Sequence, residues 1–218
     1  MIVQFLAHFP RWQSVWRWGL GMVLLLGALI ATAPVQAHHA MGGRLPGNAW
    51  EGLLSGLAHP IIGIDHFLFV VAVGLIASRY QRGWLLPLAF ITAMLGGAAI
   101  RLAHWDLPQP ELWVSASVLV VGLLLALPQP VGLIWLPLLA GLAGLFHGYA
   151  YGQAIVGSEL NPLWAYLVGL GVIQGAIALA TLRIAQTWPE TPTRPWLRFG
   201  GYAVAGAGLA LLSTFLPV

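Results

Sequence analysis

The stretch "GLAHPIIGIDHFLFVVAVGLIAS", Gly56–Ser78, is apolar enough for lipid, yet it carries His59, Asp65 and His66 around Pro60 and Gly63. An ionisable side chain at the bilayer centre costs roughly 2.5–3.5 kcal/mol on insertion scales, so such groups persist where they are paired, solvated or binding something. On an unbroken helix His59 and His66 share a face but lie about 10.5 Å apart along the axis. Two nitrogens that each approach one metal ion to about 2 Å cannot be so far apart. The two imidazoles are therefore either successive stations on a path or brought together by a break. Pro60 disfavours helical backbone at His59, and Gly63 permits irregular backbone. A break or re-entrant turn is expected within residues 57–63, a feature tolerated at membrane depth where it lines a polar cavity.

The rest of the chain agrees with a lipid setting. Of 218 residues, 59% are hydrophobic and 7% charged, with mean hydropathy +0.85. Soluble domains carry about 25% charged residues, so the fold class is an all-α integral membrane protein without a sizeable soluble domain. The nine basic residues are all Arg and form no basic run, which argues against nucleic-acid binding. With no Cys, disulfides, thiolate metal sites and iron–sulfur clusters are excluded.

Residues 1–37 read as a signal peptide: Arg11 and Arg17, the apolar "LGMVLLLGALIA", then "VQA". Cleavage is expected after Ala37, with an uncleaved signal anchor as the alternative. The mature chain, 38–218, would begin "HHAMGG", and its α-amine with His38, His39 and nearby Met41 forms a plausible cation-loading end or an ordinary polar terminus. Six spans are expected near 52–78, 84–101, 111–127, 131–151, 162–186 and 196–216, in one bundle. The short connections imply antiparallel neighbours. Gly and Ala at spacings near four in "MLGGAAI", "GLAGLFHG" and "GGYAVAGAGLA" predict close helix contacts. Trp50, Trp84, Trp113 and Trp164 fall near span ends, as interfacial anchors do.

Placing the mature N-terminus outside puts Arg79, Arg82, Arg183, Arg194 and Arg198 on the cytoplasmic side. The outer side then holds Arg44 and Arg101 with Glu51, Asp106, Glu111 and Glu159. This asymmetry predicts a multi-pass protein of the bacterial cytoplasmic membrane with both mature termini outside. An acidic outer face suits a cation.

Asp65 and His66 are about 100° apart on a helix, so one ion between them needs a third group from another span. His147, in "LFHGYAYG" of the fourth span, is the natural partner. Imidazole and carboxylate suit Ni²⁺, Co²⁺, Zn²⁺ and Fe²⁺; a purely structural Asp–His pairing is the plain alternative. Glu111, Gln153, Glu159 and Gln174 lie near span ends or in the fifth span, and His104 in an outer loop.

With "HPIIGIDH" and "FHGYAYG" together, the chain resembles the HupE/UreJ family, particularly its cyanobacterial-type members. The likeness covers the signal peptide, "HPxxGxDH", Glu111 followed by "SASVL", and "FHG" in order. The first motif is also similar to the H-x4-DH motif of the nickel/cobalt transporter family, with one more residue here. The resemblance implies a six-span Ni²⁺ or Co²⁺ permease, with His59, Asp65 and His66 as the main metal site and His147 and Glu111 as companions. Many members read "HGxAHGxE" where this chain has Tyr151 and Gln153, and the fifth-span His common in them is replaced by Gln174 as the strongly polar residue. No nucleotide signature and no nucleophile–base pair stands out, so the expected activity is secondary uptake of the ion, with no enzyme activity and no permanent cofactor. The expected partners are the ion, the bilayer and further copies of the chain. Two other functions compete: a haem-binding electron carrier using His66 and His147, and a non-transporting accessory subunit of a membrane complex.

Overall fold

The computed structural model describes residues 44–132, 134–188 and 195–215. The expected signal peptide, residues 1–37, and His38, His39 and Met41 fall outside the described residues. Within them the fold is all-helical: α1 (Ala49–Ile62), α2 (Ile64–Ala77), α3 (Leu85–Leu102), α4 (Pro110–Ala126), α5 (Trp135–Gln153), α6 (Leu160–Gln186) and α7 (Pro195–Ser213). Taking α1 and α2 together, these helices fall on the six expected windows within a few residues. By length and composition α3 and α6 can each cross a membrane, and α1 with α2 passes as one span broken by 79°. Helix α4 is apolar over 17 residues. In α5 and α7, each 19 residues long, Gly, Tyr, His or Arg interrupt the apolar run.

Local chemistry sets the ends. The Asn48 side chain accepts the Glu51 N–H at 2.9 Å, and the Glu51 carboxylate accepts the Gly47 N–H and an Arg44 N–H, each at 2.8 Å. These bonds satisfy donors that a helix N-terminus leaves open. Pro110 starts α4 at a position where its missing N–H costs nothing. The break lies at Gly63 alone, with φ −75° and ψ 100°. Pro60 does not end α1: both His59 and Pro60 are helical, and α1 continues to Ile62. The steric bias against helix before a proline is overridden because the α1 backbone is packed hard against α6.

That packing rests on small residues. A Cβ on Gly52 would meet Pro162, and one on Gly56 the backbone of Tyr166 and Leu170. In the same way Gly144 and Gly148 of α5 press on Phe90 and Met94 of α3, while Gly201 and Gly208 of α7 press on Ala126 and Leu119 of α4. The broadest interfaces are accordingly α3 with α5, α4 with α7 and α1 with α6, and not the consecutive pairs. Shape decides this, because lipid offers helices no hydrophobic incentive and close backbone approach supplies the attraction.

The same contacts fix direction. Residue numbers rise together along α1–α2 and α6 (Gly52 with Pro162, Gly56 with Leu170, Gly74 with Ala178). They also rise together along α3 and α5 (Phe90 with Gly144, Met94 with Gly148, Ala98 with Gly152). Along α4 and α7 they run oppositely. Trp50, Trp84, Trp113 and Trp164 are exposed near helix ends, as anchors should be.

Candidate metal centre

The bend at Gly63 brings the α1 and α2 imidazoles together: the His59 and His66 ring centroids are 5.9 Å apart. His147 enters from α5, and its Nδ1 lies 2.9 Å from Nδ1 of His66. All three imidazoles are buried, His147 completely. The predicted partnership across 81 positions of chain is thus present, as is the bend that unites His59 with His66.

Asp65 lies in the first turn of α2, half-buried, and its Oδ1 accepts the His66 N–H at 2.9 Å. A carboxylate there complements the positive end of the helix dipole and holds the backbone from which His66 projects. Gly63 makes room for both: a Cβ at that position would stand 2.7 Å from His66 Cδ2 and 3.2 Å from Asp65 Oδ1. The glycine is needed for space, since its φ and ψ are open to any residue.

A hydroxyl shell surrounds the imidazoles. Ser117 Oγ on α4 is 2.9 Å from His147 Nε2, and its own O–H donates to the Val114 carbonyl at 2.6 Å. Tyr166 on α6 places its hydroxyl 3.0 Å from His59 Nδ1 and donates to the Tyr151 carbonyl at 3.1 Å. The Tyr151 ring packs 4.3 Å from His66 and 5.1 Å from His59, and its hydroxyl donates to Gln174 Oε1. Gln174 Nε2 in turn reaches Met94 Sδ at 2.9 Å. Phe69 and Phe90 close the apolar side of His147, with centroids 4.5 and 5.5 Å away.

Sequence reasoning places His59, Asp65, His66 and His147 in one site, and the fold brings all four into one region. Glu111 stands apart: it is exposed in the first turn of α4, about 9 Å of helix rise from Ser117, and it joins none of the described contacts of the cluster. Gln153 is likewise exposed, at the end of α5, and His104 is exposed in the loop after α3. Ser117, Tyr166 and Met94 are missed by sequence. Among the described residues no three His, Asp or Glu side chains converge as a preformed metal cage.

Apolar helices in an all-helical bundle, one of them broken at a buried imidazole cluster, are those of a membrane protein. Comparison with known proteins then places it. The family model described as HupE / UreJ protein matches residues 24–211, and the chain belongs to that family. Protein HupE of Rhizobium leguminosarum bv. viciae is 34% identical over 175 residues, 74% of this chain and 85% of that protein. The family is linked to nickel and cobalt transport. No solved structure matches.

Proposed function

We propose that this chain is a six-span secondary permease that takes up Ni²⁺ or Co²⁺ through the His59/Asp65/His66/His147 cluster. The observation that carries the reading is the 2.9 Å separation of the two buried Nδ1 atoms of His66 and His147. Two nitrogens each about 2.05 Å from one ion, at a right angle, lie about 2.9 Å apart. As a hydrogen-bonded pair it stands at a spacing that two ligands of one ion can share once the ion displaces the proton between them, with Asp65 one residue away to supply negative charge. A partial site suits a cargo, which must be bound firmly enough to enter and loosely enough to leave.

Helix direction supports six crossings. Spans one and five run parallel, two and four run parallel, and three and six run opposite, which is the parity of strict up-and-down alternation. With that parity Glu51, Asp106, Glu111 and Glu159 share one side, and Arg79, Arg82, Arg183 and Arg198 the other. The arginine side is the cytoplasm by the positive-inside rule, which leaves the mature termini outside. An inside-negative potential then favours entry by about 4.6 kcal/mol per 100 mV for a divalent ion. The N-terminal His38, His39 and Met41 complete the scheme as an outer loading end.

The haem reading fits the geometry poorly. Axial nitrogens on opposite faces of one iron are about 4 Å apart with a macrocycle between them, whereas these two stand 2.9 Å apart with Tyr151, Phe69 and Phe90 packed around them. Radiometal uptake in cells lacking their own nickel and cobalt importers tests the proposal. Wild type should accumulate one or both ions, and Asp65→Asn and His66→Ala should abolish accumulation at unchanged membrane protein levels. Uptake at the wild-type rate by either variant removes the assignment.

A further inference from the structure

The hydrogen bonds around His147 carry more information than their distances. Ser117 has one hydroxyl proton, and that proton is committed to the Val114 carbonyl at 2.6 Å, because a carbonyl can only accept. Towards His147 Nε2, 2.9 Å away, the same oxygen can therefore only accept. Nε2 must be the protonated nitrogen of His147, and Nδ1 carries the lone pair. That lone pair faces Nδ1 of His66. The tautomer follows from donor and acceptor counting at a fully buried imidazole.

We propose that Ser117 is a positioning residue for the metal centre, holding His147 as the Nε2–H tautomer so that its Nδ1 is the ligating atom. This rests on the permease reading above and adds to it a specific atom and its holder. The logic is that of metalloprotein ligand shells, where a ligating imidazole donates its second N–H to a fixed acceptor that sets ring orientation and basicity. Here the acceptor is a serine whose orientation is set by its own helix: the hydroxyl back-bonds to the carbonyl three residues earlier, so the Ser117 rotamer is fixed before His147 docks. Replacing the acceptor by a methyl group leaves His147 able to present either nitrogen to His66. It also leaves a buried N–H without a partner in the Nε2–H form.

The test uses the purified full chain in detergent with ¹⁵N-labelled histidine, comparing wild type, Ser117→Ala and Ser117→Thr. His147 signals are assigned by their loss in His147→Gln. Wild type should show protonated Nε2 and bare Nδ1 on His147. Ser117→Ala should lose that preference and weaken binding of Ni²⁺ or Co²⁺ by about 10–100-fold. Ser117→Thr, which keeps the hydroxyl and its back-bond, should restore both. An unchanged His147 tautomer in Ser117→Ala overturns the inference, as does unchanged metal affinity in that variant. Absence of divalent-ion binding by the wild-type chain, with the tautomers as assigned, defeats instead the permease reading on which the inference rests. Intact helical circular dichroism in Ser117→Ala establishes that the variant is folded. If it is not, Ser117→Cys, whose weak acceptor sulfur replaces the oxygen, provides the same two readouts.

Discussion

Replacing Gly63 by alanine isolates the geometry of the site from the stability of the bundle. The backbone there has φ −75° and ψ 100°, which alanine adopts freely, so any effect comes from the added methyl. That carbon would stand 2.7 Å from His66 Cδ2, where ordinary contact begins near 3.4 Å. The imidazole must therefore yield by about 0.7 Å. Taken along the bond to His147, the 2.9 Å nitrogen pair would open to roughly 3.6 Å, beyond hydrogen-bond range. Loss of one buried bond with its partner left unsatisfied costs about 1–3 kcal/mol. Ångström-scale misplacement of a reacting group costs on the order of 100-fold in rate. Gly63→Ala should consequently insert and fold, unfold a few degrees earlier by circular dichroism, and lose most metal uptake. Uptake at the wild-type rate would refute the claim that room beside Gly63 positions His66.

Other substitutions read different parts of the molecule. Gly148→Ala places a methyl on the Met94 carbonyl at the α3–α5 interface, where backbone cannot yield as a side chain can. It should cost about 1–3 kcal/mol or more and lower both folded yield and melting temperature. Tyr166→Phe deletes the hydroxyl shared by His59 and the Tyr151 carbonyl; a loss of about 1–3 kcal/mol in thermal unfolding is expected, with metal affinity falling more than from Tyr202→Phe at the half-exposed α7 surface. Tyr151→His puts an imidazole where a ring already packs 4.3 Å from His66, and calorimetry with Ni²⁺ should show tighter binding.

Much of the site was legible because charge and imidazole are costly in lipid. His59, Asp65, His66 and His147 are conspicuous in apolar runs, and helix geometry alone shows that the first two imidazoles need a break to meet. The location of that break within residues 57–63 was not legible. Pro60 is the louder signal in the sequence, yet Gly63 is the hinge, because the α6 contact keeps α1 helical through the proline. Ser117 and Tyr166 were missed for a different reason. A serine in a helix bonds to its own backbone at little cost, as Ser117 does to Val114, so it leaves no hydropathy signature. Short loops speak to the direction of consecutive helices but not to which faces meet most broadly: matched small-residue faces chose α3 with α5 and α4 with α7.

The hinge at Gly63 has a consequence for how the protein is made. Each half is 14 residues long, about 21 Å of helix, against a hydrocarbon core of about 30 Å. Neither half reaches across alone, and the polar corner between them is sheltered chiefly by α5 and α6. Helix α6 begins 83 residues after α2 ends (160 − 77), a delay of roughly 4–17 s at ordinary rates of synthesis. For those seconds His59 is in the growing chain without the wall that Tyr166 later supplies. The imidazole cluster is a product of assembly and not of insertion, and a chain released before α6 carries the signature motif without the finished cluster.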